Sequence, residues 1–426
     1  MAAYLKIENP GVCPPEGFTV LGVSLANTST NNGVIGQFGS GNKHAVALLT
    51  RMGLSPIVFS GNLRMDFSTR QQNVSDGVAN KDFRRVVVKY SGTKNSTEDL
   101  GFVVDFGQID WDDVDMALRE FVSNAIDRCI RENGDWSGAK VEVVQEAQVR
   151  AKKGYTRVFV PLTTEVLAFY NNLGKWFLHF SSPKLLDKEI LPKSNRNIGE
   201  RKAAVIYRRG VRVREFESSE TESLFDYNLN SLPIDEARKA SDWDVKHACG
   251  KALSKADKPV LTALFHRMVS STEPVWEFNF DTYSMQPDYL ETSEQTEAKR
   301  KVWQESFVAA AGKNAVLTTT NDRSCERLKG KGYSVVQVPE NFVRAATLYG
   351  VQTPSMVLTA DELAHRDVRA ATPPFEEAVD KVWELVCEAN LAEGKEKPPV
   401  KMFSSLSDAG AQLRGFYRDG VVYLHE

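Results

Sequence analysis

The sequence predicts a mixed α/β protein of the α+β sandwich type, and three observations carry that prediction. Up to about residue 180, short runs rich in β-branched and aromatic residues alternate with segments of helical period. A stretch with Pro183, Pro192 and several asparagines follows and is typical of a linker. From about Thr296, helices and strands alternate at the spacing of a small α/β unit with a parallel sheet. We expect three domains in the 426 residues: 1–182, 183–290 and 291–426.

The first expected domain combines helices with strands that are broken by Gly, Asn and Ser. The expected helices are Lys43–Met52, Asp112–Glu132 and Thr164–Phe180, and the expected strands are Ile57–Phe59, Arg85–Tyr90, Gly101–Phe106, Val141–Val144 and Thr156–Val160. The run Asn73–Lys81 is expected to be a loop.

Beyond the linker, a strand pair surrounds the turn Arg209-Gly210, and a mostly helical stretch covers 233–270. The expected later elements are the strands Ala204–Tyr207, Val211–Phe216, Ala315–Thr318, Tyr333–Val338 and Val421–Leu424 and the helices Lys299–Ala311, Asp322–Lys329 and Asn341–Leu348. The arginines of the strand pair form either a patch for nucleic acid or an acidic partner, or a solvated hairpin: Arg208, Arg209, Arg212 and Arg214.

Composition indicates a globular protein with 42% apolar and 26% charged residues. The net charge of −3 gives no general attraction to nucleic acid, although a local basic groove is not excluded. No apolar run is long enough for a transmembrane helix, and the first residues lack the pattern of a signal peptide. The five cysteines are scattered and contain no CxxC pair, so we expect a reduced, cytoplasmic setting.

The long helix of the first domain carries the first candidate site. Glu120, Asn124 and Asp127 are spaced i, i+4 and i+7, so they share one face. Such a face offers a carboxylate that can orient water, an amide oxygen for a hard cation such as Mg²⁺, and a second acid. The alternative is a solvated acidic face on an amphipathic helix.

A glycine stretch before the first helix carries the second candidate site. Gly36, Gly39 and Gly41 would let backbone N–H groups approach an anion, the following helix would add its N-terminal donors, and Lys43 would add a charge. The stretch lacks the GK[ST] ending of a Walker A loop, and it is a poor dinucleotide fingerprint. The alternative is a flexible loop before a helix.

These motifs resemble those of the GHKL ATPases (gyrase, heat-shock chaperone, histidine kinase and MutL). IGQFGSGNK at 35–43 resembles their second glycine box, EFVSNAID at 120–127 resembles their N-box, and LKIENPGVCPPEGF at 5–18 resembles their first glycine box. Leu21–Ser24 resembles the start of their lid, and Thr156 matches a threonine of a late strand near the base.

The resemblance implies a Bergerat-type nucleotide-binding domain for ATP and Mg²⁺, followed by a transducer-like α/β domain and a small C-terminal α/β domain. Glu120 would orient the attacking water, and Asn124 would hold Mg²⁺. The nucleotide base or its waters would lie near Asn9, Asp127 and Thr156, and Gly11 would also belong to the nucleotide-binding residues. The phosphates would contact the loop and helix start formed by Gly36, Gln37, Phe38, Gly39, Gly41 and Lys43. Arg238 of the second domain would reach the γ-phosphate; the alternative for it is a surface arginine at the start of a helix.

Two features depart from the family pattern. The N-box follows both glycine boxes instead of preceding them, so the order is circularly permuted, which domains with adjacent termini tolerate. Asn9 stands where the family has the aspartate that binds the adenine amino group, and Cys13 stands at the second glycine of the first box. An asparagine oxygen can still accept a hydrogen bond from an amino group.

The function implied is ATP hydrolysis coupled to lid closure over residues 24–35 and domain movement acting on a protein partner, in a chaperone-like or remodelling role. Dimerisation on ATP is a further expectation from the family. The first alternative is a non-catalytic GHKL-shaped scaffold, favoured by Asn9 and Cys13. The second is a DNA-transaction ATPase like MutL or a topoisomerase subunit, which predicts salt-sensitive DNA binding.

Overall fold

The structure is a computed structural model, and it describes residues 2–22, 34–36, 40–108, 111–193, 203–216, 221–235, 238–271, 273–280, 282–287, 291–358, 367–389, 396–404, 415–418 and 420–425. The chain divides into two compact units, residues 1–264 with 273–291 and residues 265–272 with 292–426. Antiparallel and mixed sheets combine with helices, so the predicted mixed α/β class is confirmed. A separate domain boundary at residue 182 stays a prediction.

A seven-stranded antiparallel sheet forms the centre of the first unit, in the order β5-β4-β3-β2-β7-β1-β6. Its strands are β1 (Ala3–Pro10), β2 (Ile57–Ser60), β3 (Leu63–Ser75), β4 (Asn80–Ser91), β5 (Ser96–Val103), β6 (Lys140–Gln145) and β7 (Tyr155–Pro161). The first strand of the chain therefore lies between the last two of this sheet. This order places Asn9 directly opposite Thr156.

Helices α1 (Glu16–Thr19), α2 (Gly41–Arg51) and α3 (Val114–Asn133) belong to the same unit, and α2 packs against α3. The side chain of Asp113 caps the start of α3 by accepting from the N–H of Asp115, and Gly134 ends it with a left-handed φ of 79°. Apolar residues at helical spacing bury one side of α3 in the core that includes Leu5 and Ile7 of β1. The predicted ranges of α2 and α3 agree with the structure within two residues at each end.

The loop expected at Asn73–Lys81 is wrong, because β3 and β4 pair through most of it. Their register runs from Arg64↔Ser91 to Ser75↔Asn80. The carboxylate of Asp76 accepts from the N–H groups of Val78 and Ala79 at 2.9 and 2.8 Å and closes a tight turn. Polar residues on an exposed two-stranded ribbon resemble loop composition, which is why the pattern was misleading.

The single helix expected at Thr164–Phe180 is also wrong. The structure has three short helices there: α4 (Thr164–Asn171), α5 (Leu173–Trp176) and α6 (Leu178–Ser181). Phe177 interrupts the helical path with extended backbone angles and forms a bridge to Val211. A pairing with a distant strand therefore overrides the local helical pattern.

A second sheet of the first unit has the order β10-β9-β11-β8, with β9 and β11 parallel and the other pairs antiparallel. Its strands are β8 (Ile190–Pro192), β9 (Val205–Arg208), β10 (Val211–Glu215) and β11 (Phe225–Asn228), and helices α7 (Asp242–Ser254), α8 (Lys258–Ser270) and α9 (Thr282–Met285) follow. Strand β8 lies inside the expected linker, which is therefore partly wrong. Arg208 is buried and its Nε donates to the carbonyl of Leu232 at 2.7 Å. Arg208 therefore belongs neither to a surface patch for nucleic acid or an acidic partner nor to a solvated hairpin.

The second unit contains helices α10 (Ser293–Ala311), α11 (Arg323–Gly330), α12 (Glu340–Leu348) and α13 (Pro373–Glu388). Its strands are β12 (Ala315–Thr318), β13 (Ser334–Gln337), β14 (Asp367–Ala370), β15 (Val400–Ser404), β16 (Gly415–Arg418) and β17 (Val421–His425). Strands β12 and β13 are parallel, as predicted, and β14 to β17 form a second sheet. Across the described ranges, no helix is both long and apolar enough to cross a membrane.

Candidate functional site

The predicted face of α3 is buried at its two acids. Glu120 and Asp127 are both almost inaccessible to solvent, and the Glu120 carboxylate lies beside Asn124 one turn later. The solvated acidic face is therefore wrong for these two side chains. Buried carboxylates need partners, and each of the two has a different set.

Asn124 is held in one orientation by two acceptors. Its Nδ2 donates to Glu120 Oε1 at 3.0 Å and to Asn42 Oδ1 at 2.9 Å. Both amide protons are used by these two bonds, so the side-chain flip is fixed by the network. The oxygen, Oδ1, is therefore the Asn124 atom that remains for a hard cation.

Asn42 links three parts of the sequence and was missed by the motif analysis. It accepts from Asn124 of α3, and its own Nδ2 donates to the carbonyl oxygen of Gly17 at 3.2 Å. Asn42 belongs to the second glycine stretch, and Gly17 belongs to the first. Its position inside the IGQFGSGNK string was visible in the sequence, but its partners are remote and no local pattern indicates them.

Arg238 reaches Glu120 from the segment after the second sheet. Its Nε and Nη2 donate to Glu120 Oε2 at 3.1 and 2.7 Å, and the two side chains are only 9% and 7% exposed. The N–H of Arg238 donates to the carbonyl of Asp235, and the backbone turns here with a left-handed φ of 60°. The alternative of a surface arginine at a helix start is therefore wrong.

Asp127 binds the glycine stretch itself. Its Oδ1 and Oδ2 accept from the N–H groups of Ile35 and Gly36 at 2.6 and 2.7 Å. Burial raises the pKa of Asp127 to about 6, an effect that these two hydrogen bonds and Arg238 oppose and Glu120 reinforces. The N–H of Gly36 is thus taken by a side chain, and we correct its expected role as a phosphate donor.

Gly41 makes room for Glu120 at the first residue of α2. A Cβ at this position would overlap Glu120 Oε1 and would lie 2.8 Å from its Cγ. The backbone here is not left-handed, so the need for glycine is steric. The other glycine-box residues expected at the phosphates, Gln37, Phe38 and Gly39, lie outside the described residues.

Lys43 is fully buried two residues into α2. Burial lowers the pKa of its ammonium group, and the nearby Cys13 and Glu120 partly oppose that effect. A buried cation within electrostatic reach of Glu120 adds positive charge to this end of the site. Such a positive charge attracts a multiply charged anion.

A further part of the candidate site lies where β1 leaves the sheet. Thr156 Oγ1 donates to the carbonyl of Gly11 and accepts from the N–H of Cys13, both at 2.8 Å. Gly11 has a φ of 86° and its Cα faces the Arg128 side chain, so glycine is required there. The Asn9 amide nitrogen donates to the carbonyl of Pro10 at 2.6 Å, which leaves its oxygen as an acceptor.

Comparison of the chain with protein-family models, with curated proteins and with solved structures gives no match. In the described part of the chain, no three His, Cys, Asp or Glu side chains are grouped to hold a metal ion. The arrangement fits a cation that takes one amide oxygen from the protein and its other ligands from phosphates and water.

Proposed function

We propose that this chain binds ATP with Mg²⁺ and hydrolyses it in a GHKL-type, Bergerat-fold site whose motifs occur in permuted order. One observation carries the proposal. The three motifs that the family uses for one site are joined by side chains: α3 bonds the second glycine stretch through Asn124 and Asp127, and Asn42 bonds the segment of the first.

In this proposal Glu120 orients the attacking water, and Asn124 supplies its oxygen to Mg²⁺, which would offset phosphate charge. Arg238 leaves Glu120 and stabilises charge on the transferred phosphoryl group. Asp127 acts indirectly, by holding Ile35 and Gly36 in place.

The base end in this proposal is the turn where Asn9, Gly11 and Thr156 lie together. The Asn9 oxygen is the acceptor for an exocyclic amino group of the base. Because the Thr156 hydroxyl is hydrogen-bonded to Gly11 and Cys13, the contribution of Thr156 is to shape this turn. Cys13 occupies the second glycine position without a left-handed φ, and its N–H and carbonyl are bonded to Thr156 and Ser60.

The proposed output is a lid closure and domain movement that acts on a protein partner, with dimerisation on ATP. Most of the proposed lid, 24–33, lies outside the described residues. All five cysteines are free thiols, which supports the reducing, cytoplasmic setting that we propose.

A non-catalytic scaffold is the second candidate, and the ion pair favours it. Arg238 occupies one carboxylate oxygen of Glu120 and Asn124 occupies the other. If that pair persists when ATP is bound, no water can be activated. Binding without turnover is the signature of this candidate.

The test is calorimetric titration of the full chain with ATP and Mg²⁺, followed by a phosphate-release assay. We expect saturable binding, with turnover reduced at least about a hundredfold in Glu120→Ala. Glu146→Ala removes an exposed carboxylate of the same unit and should leave turnover unchanged. Binding by the parent without release would select the scaffold, and absence of both would overturn the proposal.

A further inference from the structure

A cavity in the first unit lies outside the residues assigned to the nucleotide. Its volume is about 590 Å³, and it is lined from three directions: the end of α3, the segment around α6, and the turn between β9 and β10 with the end of β11. Pockets for small molecules commonly fall between about 300 and 1,000 Å³. The space is therefore sufficient for a drug-sized ligand.

Hydrogen bonds hold the walls of this cavity in position. The N–H of Gly210 donates to Asn228 Oδ1, and the N–H of Leu178 donates to the carbonyl of Gly210, both at 2.8 Å. Gly210 has a φ of 77°, and a Cβ there would lie 2.6 Å from His179 Cε1. The imidazole thus packs directly on the turn. A wall fixed in this way does not need to be ordered by a ligand, which favours binding.

The chemistry of the lining selects one kind of ligand. Trp136 and Leu178 give it apolar surface, and Asn228 and Asn230 give it carboxamides. Among the lining residues that the structure describes, Arg209 is the one charged side chain and none is a carboxylate. An aromatic surface beside a single guanidinium complements a planar molecule with one negative charge.

His179 adds to this environment as a neutral ring. Burial lowers the pKa of its imidazole to about 4, so it adds no positive charge at neutral pH. Its Nδ1 is buried and has no hydrogen-bond partner among the described residues. The ring therefore forms an uncharged part of the wall, packed on the turn at Gly210.

We propose that this cavity, lined by Trp136, His179, Arg209 and Asn230, is a second ligand site for an aromatic molecule that carries one carboxylate or sulfonate. The site shares no lining residue with the proposed ATP function, and its one contact with the proposed lid is the hydrogen bond that Arg209 Nη1 donates to the carbonyl of Val34. A second cavity of about 490 Å³ is lined by four carboxylates, Asp113, Asp115, Glu165 and Glu215, and by two cations, Lys175 and Arg212, so its described lining has an excess of negative charge that disfavours such an anion.

The probe for the test is 8-anilinonaphthalene-1-sulfonate, an aromatic monoanion whose fluorescence rises in apolar surroundings. Titration of the folded full chain should show one saturable site that excess ATP does not displace. Arg209→Gln should weaken binding about tenfold, because a charge-assisted hydrogen bond is lost. Asn230→Trp should abolish it, because the exposed position lets the indole enter the cavity without strain in the core.

The matched control is Arg214→Gln, which removes an arginine of the adjacent strand that does not line the cavity. It should bind the probe as tightly as the parent. Probe binding is compared only among variants whose thermal midpoints equal that of the parent, because partly unfolded chains also bind this probe. Absence of saturable binding, equal binding by Arg209→Gln and Arg214→Gln, or displacement by ATP would each overturn the proposal.

Discussion

Replacing Arg238 by alanine tests the buried ion pair at the centre of the candidate site. Both side chains are less than a tenth exposed, and two guanidinium N–H groups bond a single carboxylate oxygen. Removing one partner of a buried pair costs about 3–5 kcal/mol, because the other charge stays desolvated. Glu120 keeps its hydrogen bond from Asn124, so we expect a loss near the lower end, about 3 kcal/mol.

The assay is urea-induced unfolding at neutral pH, analysed as a double-mutant cycle. The cycle comprises the parent, Arg238→Ala, Glu120→Gln and the double variant. The double variant should be about 2 kcal/mol more stable than the sum of the single losses predicts, because it buries no unpaired charge. In a thermal scan, Arg238→Ala should lower the midpoint by roughly 2–4 °C for each kcal/mol lost.

The chain offers a matched exposed pair as a control. Arg70 Nη1 lies 2.8 Å from Asp99 Oδ1, and the two side chains are 53% and 29% exposed. The equivalent cycle on this pair should give a coupling free energy of about 0.5 kcal/mol or less. Equal coupling in the two cycles would refute the claim that burial makes the Arg238–Glu120 pair strong.

Three further variants test other parts of the site. The pKa of Asp127 is raised from 3.8 to about 6, so the folded chain retains a proton that the unfolded chain has lost, and stability falls by roughly 2 kcal/mol as pH rises from 4 to 6. Asp127→Asn should remove that slope from urea midpoints measured across this range; an unchanged slope contradicts the assignment. Gly41→Ala should destabilise by about 1–3 kcal/mol and abolish ATP binding, whereas Gly101→Ala, with open space at its Cβ, should change the free energy of unfolding by less than about 0.5 kcal/mol. Thr156→Val should lower the free energy of unfolding by about 1–3 kcal/mol, because the turn at the end of β1 loses its two hydrogen bonds, whereas Thr69→Val at an exposed position should not lower it. Similar losses for the two variants in calorimetry would contradict this role of the Thr156 hydroxyl.

The sequence was informative where one local period determined both the element and its chemistry. The helical spacing of Glu120, Asn124 and Asp127 predicted a shared face, and the core packing of α3 agrees with it. What the spacing could not predict is which partner each side chain meets. The Arg238 contact joins residues 118 positions apart, and the Asn42 contact joins residues 82 positions apart.

The errors have the same physical origin. Phe177 leaves the helical path because Val211, in another sheet, offers a backbone partner. Strands β3 and β4 continue past the core because the Asp76 carboxylate, which accepts from two backbone N–H groups, closes a tight turn and lets the polar segments on either side pair. Residue composition predicts burial well, but it does not predict backbone pairing in a ribbon of strands whose two faces are both exposed.

The place of β1 between β6 and β7 has a consequence for how the chain folds during synthesis. Leu5 pairs with Val143 on one side and with Val160 on the other, so neither neighbour exists until most of this sheet has been translated. Strands β2 to β5 can pair as successive hairpins, whereas β1, which is made before them, waits with both edges unpaired. Closing the sheet around β1 is therefore the long-range step, and it also brings Asn9, Gly11 and Thr156 together. A nascent chain that stops before β7 has one edge of β1 unpaired and lacks Thr156 of the candidate site.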